Sequence, residues 1–182
     1  ASYRRQRQMC IRDRMNSEGE NFDFAEWINR FSELDLESIF VKYAEEPRAK
    51  NLAKKIKNIE SSKLQSAKDF AREIERALGY RDFSRKSPAI RIFQAFRMAI
   101  NEEEQELRSF LEWSPRFLKK GGRLAVISFH SIEDRLVKRS FQQLNKNDDY
   151  EILTRTPVQA STKELNYNSR SRSAKLRVIE KK

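Results

Sequence analysis

Apolar positions between residues 22 and 86 recur at helical spacing. Phe24, Trp27, Ile28 and Phe31 fall at i, i+3, i+4 and i+7, one face of a helix. Leu36, Ile39, Phe40 and Tyr43 repeat the pattern, and Pro47 marks a break. Leu52, Ala53, Ile56 and Ile59 give a third stripe, set among the lysines Lys54, Lys55 and Lys57, which read as a solvated face. A fourth stripe, Phe70, Ile74, Ala77 and Leu78, has Ser66 before it as an N-cap and Gly79 after it as a stop. Four short amphipathic helices predict a small bundle.

The pattern changes after Ser87-Pro88, where proline suits the first position of a helix. Ile92, Phe93, Phe96, Ala99 and Ile100 form a wide apolar face. The helical spacing continues, with a bend near Asn101, through Leu107, Phe110, Leu111 and Phe117-Leu118. Gly121-Gly122 then stops the helix, and the run from Arg123 to Phe129 reads as a buried strand. Helix, glycine turn and buried strand form one unit of an α/β fold with a parallel sheet. A further helix is predicted from Ile132 to Leu144. Two strands, Tyr150 to Thr154 and Lys175 to Ile179, are expected to make a hairpin on the sheet edge. The second alternates charged and apolar residues, as a half-exposed strand does. The segment from Pro157 to Arg172 reads as a polar loop.

Composition narrows this picture. The chain has 182 residues, which allows one domain or one domain with a small insertion. Its longest apolar run is Leu124 to Ile127, far short of the roughly 20 residues a membrane span needs, so no membrane partner is expected. Gln8 to Asp13 can be encoded by CAG ATG TGT ATA AGA GAC, which matches a transposon end used to tag DNA for sequencing. Residues 1–14 are therefore read as a non-native leader, outside fold reasoning. With them goes Cys10, the chain's one cysteine, so neither disulfides nor thiolate metal sites are expected. No targeting signal is evident, which makes the cytoplasm the expected compartment.

Charge is unevenly placed. Residues 15–86 carry 14 Lys/Arg and 14 Asp/Glu, whereas residues 87–182 carry 19 and 12. The native basic excess lies wholly in the second part, where it suits a polyanion such as RNA. The segment Asn168-Ser169-Arg170-Ser171-Arg172-Ser173-Ala174-Lys175 alternates small polar and basic residues, and such a segment can contact phosphates.

Candidate chemistry concentrates just past the strand at 123–129. Ser128-Phe129-His130-Ser131-Ile132-Glu133-Asp134-Arg135 holds the chain's single histidine, two hydroxyls, two carboxylates and an arginine. Ligands in open α/β sheets bind beyond such strand ends. A structural role is open as well: Ser131 can cap the next helix, and Glu133 and Asp134 complement its dipole. There is no HExxH and no set of clustered histidines, so no metal is expected. No strand–GxGxG–helix fingerprint occurs; Gly121-Gly122 precedes a strand where phosphate-binding glycines follow one.

Three stretches carry a family resemblance. Ser87-Pro88-Ala89-Ile90-Arg91-Ile92-Phe93-Gln94-Ala95-Phe96-Arg97 with Ala99-Ile100-Asn101-Glu102, the stretch from Leu118 to Arg139, and Ser169 to Val178 together resemble the RsmH (MraW) family of ribosomal RNA methyltransferases. Arg14-Met15-Asn16 and Ala25-Glu26-Trp27 resemble the family's entry into its helical insertion. Two details depart from it. The family usually has His-Pro-Ala-Thr at Ser87-Pro88-Ala89-Ile90, and often Asn-Pro-Arg-Ala-Arg-Ser at Asn168 to Ser173.

The resemblance implies N4-methylation of a cytosine in 16S ribosomal RNA of the small ribosomal subunit, with S-adenosylmethionine as donor. It implies a Rossmann-like class I methyltransferase fold, here its C-terminal part (residues 87–182), with a small helical insertion domain (15–86). The family's cofactor residues would precede Met15, so none is assigned, and the piece is expected to be inactive alone. It also implies substrate contact by Ser128, His130, Ser131, Glu133, Asp134 and Arg135, with Arg91, Arg97, Arg170, Arg172 and Lys175 along the RNA. No catalytic residue is assigned. The alternative is a stand-alone basic RNA-binding module without catalysis.

Overall fold

A computed structural model of the chain describes residues 24–64, 66–79 and 87–182. Residues 1–14, read as a leader, lie outside the described residues. The chain divides into two compact units, one ending at Glu103 and the other running from Glu104 to Lys182.

The first unit is helical: α1 (Phe24–Asn29), α2 (Glu33–Ala44), α3 (Ala49–Lys57), a 3-10 turn (Ser61–Lys63), α4 (Ala67–Ala77) and α5 (Ala89–Ile100). Local chemistry sets the ends. Ser32 and Asp35 form a capping box, with the Asp35 N–H donating to Ser32 Oγ at 3.1 Å and the Ser32 N–H donating to Asp35 Oδ2 at 2.8 Å. The Ser32 hydroxyl, donating to Asp35 Oδ2 at 2.7 Å, and then the Ser32 N–H hold the Asp35 carboxyl below the usual range. Ser66 caps α4 as its sequence position suggests, and Gly79, at φ 62°, follows that helix in the left-handed conformation. Ser32→Ala is expected to cost about 1 kcal/mol, read in urea denaturation, with Ser32→Gly costing only a few tenths.

The predicted stripes meet in one core. Ile28, Leu36, Phe40, Leu52, Ile56, Phe70, Ile74, Ile92 and Phe96 are buried together. Phe96 sits among three rings, with centroids 5.8 Å from Phe31, 5.4 Å from Phe40 and 5.9 Å from Phe70. Two of the α3 lysines do more than face solvent. Lys55 Nζ donates to the carbonyl of Ala77, the last residue of α4, at 2.9 Å. Lys57 Nζ donates to Phe31 O at 2.9 Å, just beyond α1. Each supplies a cation to a helix C-terminus, where carbonyls are unpaired and the dipole is negative.

The second unit joins helices to a sheet. Its elements are α6 (Glu103–Trp113), whose first residue belongs to the helical unit, a 3-10 turn (Ser114–Phe117), β1 (Arg123–Ser128), α7 (Ser131–Leu144), β2 (Tyr150–Ile152), β3 (Val158–Gln159), α8 (Thr162–Tyr167), a 3-10 turn (Ser169–Ser173) and β4 (Lys175–Lys181). Asn101 and Glu102, the latter at φ 51°, separate α5 from α6, so the predicted bend is a break between two helices. Gly121, at φ 76°, turns the chain into β1, and a Cβ on Gly122 would come within 2.8 Å of Lys119 O.

Strand order is β1-β4-β2, with β3 also on β4, and every ladder is antiparallel. This corrects three expectations. The parallel pairing predicted around β1 does not occur among the described residues; the fold they show is a mixed α/β one. β1 is not buried on both faces: Leu124, Val126 and Ser128 turn inward, while Ile127 is 59% exposed. Its run of branched residues reads as a core strand, yet its outer edge has no partner strand among the described residues. Finally, β4 is the central strand rather than half of an edge hairpin. Arg177 and Ile179 are buried, and Leu111, Leu136, Val137 and Phe141 cover Ile179. The segment 157–172, read as loop, contains β3 and α8.

Candidate functional site

The site residues sit where β1 ends and α7 begins. The strand delivers Ser128 inward, where it is buried and its hydroxyl donates to Lys175 O at a long 3.4 Å. The chain then turns through Phe129, which stands 54% exposed, and His130.

His130, not Ser131, is the N-cap of α7. Its backbone is extended (φ −140°, ψ 167°), and its Nδ1 accepts the Glu133 N–H at 3.3 Å. The expectation that a hydroxyl would cap here misses by one residue, because an imidazole nitrogen also accepts an orphan N–H of the first turn. With Nδ1 accepting, the neutral ring carries its proton on Nε2. That atom lies 3.1 Å from Glu133 Oε1, out of line for a hydrogen bond.

Glu133 is therefore tied twice to the turn that precedes it. Its Oε2 accepts the Phe129 N–H at 2.8 Å, and its own N–H is held by His130. Burial acts to raise its carboxyl pKa, but the His130 and Phe129 contacts prevail and lower it, so Glu133 is an anion at neutral pH. The Phe129-His130 turn is thereby fixed, with the aromatic ring outward.

Asp134 points the other way, into the sheet. Arg177 Nε donates to Oδ1 at 2.7 Å and Arg177 Nη2 to Oδ2 at 3.2 Å, a two-pronged pair between α7 and the central strand. Lys175 Nζ lies 3.5 Å from Oδ2. The Arg177 hydrogen bonds dominate in holding the Asp134 carboxyl below the usual range. The residues placed outward are Phe129, Ser131 and Arg135.

The other predicted residues divide between the units. Lys175 opens β4, and Arg170 and Arg172 are exposed on the 3-10 turn just before it, where Ser171 is buried and donates to Asn168 O at 2.7 Å. Arg91 and Arg97 belong to the helical unit. Arg91 donates to the buried Glu46 at 3.1 Å, and Arg97 to Glu103 at 3.0 Å across the α5–α6 break. Both cations have structural partners there. Sequence reasoning missed Arg177, whose alternation with apolar neighbours signalled exposure, and Phe129, which was counted as the strand's last buried residue.

What this arrangement can do is limited and specific. It presents one aromatic face, one hydroxyl and the Arg135 cation on a turn stiffened by Glu133, with Arg170 and Arg172 exposed on the 3-10 turn before β4. An aromatic face with cations suits a nucleobase and its phosphates. Among the described residues, no helix is long and apolar enough to cross a membrane.

A family model described as the MraW methylase family matches residues 2–182. Curated relatives carry the name ribosomal RNA small subunit methyltransferase H. The one from Acaryochloris marina is 42% identical over 171 residues, 93% of this chain and 56% of that protein. The one from Trichodesmium erythraeum is 40% identical over 181 residues, 99% of this chain and 61% of that protein. A relative from Sorangium cellulosum is 43% identical over 153 residues, covering 84% and 48%. The chain thus spans about half the length of the curated relatives it matches.

Proposed function

The chain belongs to the MraW methylase family, and on that premise we propose that it is the substrate-side part of an S-adenosylmethionine-dependent enzyme that methylates N4 of a cytosine in small-subunit ribosomal RNA. The observation that carries this reading is the Phe129–Arg135 turn. It is held by Glu133 at the mouth of a strand, with exposed aromatic, hydroxyl and basic groups around it.

Methylating an exocyclic amine requires the base to leave its stack and its edge to be held. Phe129 offers a stacking face for such a base, and Ser131 a hydroxyl for its edge. Arg135, Arg170 and Arg172 line the approach of the backbone. Ser128, His130, Glu133 and Asp134 act behind them, fixing the turn and anchoring it to β4. Lys175 shares that anchoring role through Asp134. Arg91 and Arg97 are assigned to the helical part (residues 15–86 and the α5 helix that packs on it) rather than to the target base.

The one glycine pair among the described residues has the geometry of a turn rather than of a cofactor loop. The Gly121-Gly122 pair precedes β1 and closes against Lys119 and Lys181, with the Gly121 N–H on Lys181 O at 2.7 Å. In this reading most of the donor's site lies outside the described residues. The unpaired outer edge of β1 is where further strands of a Rossmann-like sheet would join, bringing the donor to the turn at Phe129. The cytoplasm is the compartment that fits a ribosomal substrate.

A chimera tests this. This chain's sequence replaces the corresponding segment of the Acaryochloris marina relative, and transfer of labelled methyl from S-adenosylmethionine to small-subunit ribosomal RNA is followed. Transfer to cytosine N4 is expected. In the same chimera Glu133→Gln is expected to slow it about tenfold, the effect of weakening one charge-assisted hydrogen bond by about 1.4 kcal/mol. A folded chimera that transfers no methyl would overturn the proposal.

A further inference from the structure

A second polar site lies one turn along α7 from Asp134, on the β2 side of the sheet. It is a pocket of about 130 Å³ lined by Lys138, Phe141, Gln142, Ile152, Thr154, Arg155 and Arg177. That volume holds several waters, or one tetrahedral oxyanion with its nearest waters. Phe141 and Ile152 are its apolar lining, and Lys138, Arg155 and Arg177 its basic one.

Three features make this a site for an anion. First, Arg177 is almost wholly buried, its side chain 7% exposed, and yet lines the pocket. Asp134 takes two of the five N–H groups that a guanidinium carries. Second, Lys138 and Arg155 have no carboxylate partner among the described residues, whereas Arg108, Arg116, Arg123 and Arg177 of the same unit do. Third, no carboxylate lines the pocket, and Asp134, the partner of Arg177, is shared with Lys175. The pocket therefore keeps a positive excess with no side chain of this unit to neutralise it. Cations held together beside a buried guanidinium repel one another until an anion enters.

The geometry points to this pocket as a binding site for one backbone phosphate of the RNA, next to the nucleotide held at the Phe129–Ser131 turn. The inference rests on the RNA reading above. Ser131 and Lys138 are seven residues apart on one helix, about 10 Å along its axis. An RNA strand leaving the turn along α7 brings a phosphate to Lys138 and Arg155, while Arg177 binds it from below. Gln142 and the Thr154 hydroxyl, which already accepts the Val178 N–H at 2.8 Å, complete the polar wall. Such contacts position RNA without reading its sequence.

The test uses the whole chain and a fluorescently labelled single-stranded RNA, with anisotropy read over a range of potassium chloride concentrations. The variant Lys138→Ala/Arg155→Ala is compared with Lys163→Ala, an exposed lysine on α8. The double variant is expected to bind about tenfold more weakly, and the slope of log affinity against log salt is expected to shrink by roughly 1, while Lys163→Ala changes neither by as much. Inorganic phosphate, followed by calorimetry, is expected to bind the unmodified chain and to compete with RNA. Unchanged RNA affinity and slope in the double variant would overturn the phosphate site and leave the methyltransferase reading standing. So would phosphate binding that the double variant loses without any change in RNA binding, since the pocket would then serve free phosphate. No salt-dependent RNA binding by the unmodified chain would bring down both.

Discussion

Asp134→Asn is expected to destabilise the 104–182 unit by about 3 kcal/mol. The carboxylate is the counter-charge of Arg177, and their side chains are 13% and 7% exposed. Taking one partner from a buried pair leaves the other charge without compensation, and the loss is of that size even where the intact pair contributes little net stability. Arg177→Met alone should do similar harm, while Asp134→Leu/Arg177→Met together should recover most of it. Urea denaturation of the single and double variants forms the cycle that separates the two effects. Acid acts on the same pair. The Asp134 carboxyl is lowered in the fold, so its contribution is complete above the ordinary aspartate value of about 3.9 and disappears as pH falls through the lower folded value. The 104–182 unit should therefore lose stability below about pH 4, and the Asp134→Asn variant should lose less of it there.

Phe96→Ala is expected to cost the helical unit about 4 kcal/mol. Phe96 is fully buried, and its ring meets Phe31, Phe40 and Phe70, the Phe40 contact edge to face at 89°. Removing it deletes the hub where α2, α4, α5 and the turn after α1 meet, and leaves a cavity among the three remaining rings. Thermal unfolding followed by helical circular dichroism should show an early transition for this variant. Phe96→Leu, which keeps most of the volume, should lose about half as much.

The helical unit was readable because each helix satisfies a local rule. Leu36, Ile39 and Phe40 share a face by spacing alone, and Ser66 and Gly79 bracket α4 through backbone chemistry within a few residues. The sheet was not readable in the same way. Arg177 is charged and alternates with apolar neighbours, so its strand resembles a surface strand. It is buried because its partner, Asp134, lies 43 residues away, and no local pattern encodes that distance. The same limit applies to the site. Its position past the end of β1 followed from the strand and the glycines before it. Which side chains face outward depended on contacts between Glu133, His130 and Phe129 that spacing does not reveal, and on the commitment of Arg91 to Glu46 in the other unit.

The place of β4 has a kinetic meaning. Every strand of the sheet pairs with it, and its ladder with β1 joins Arg123 to Glu180 across 57 residues. Among the described residues β1, β2 and β3 have β4 as their ladder partner, so during synthesis these ladders wait for β4. The 104–182 segment therefore assembles late and through distant contacts, whereas the helices before it close mostly local ones. Refolding from urea should show two phases, with the helical signal returning first. In the cell, the interval between β1 and β4 leaving the ribosome is the time during which these strand edges stand open to wrong pairing.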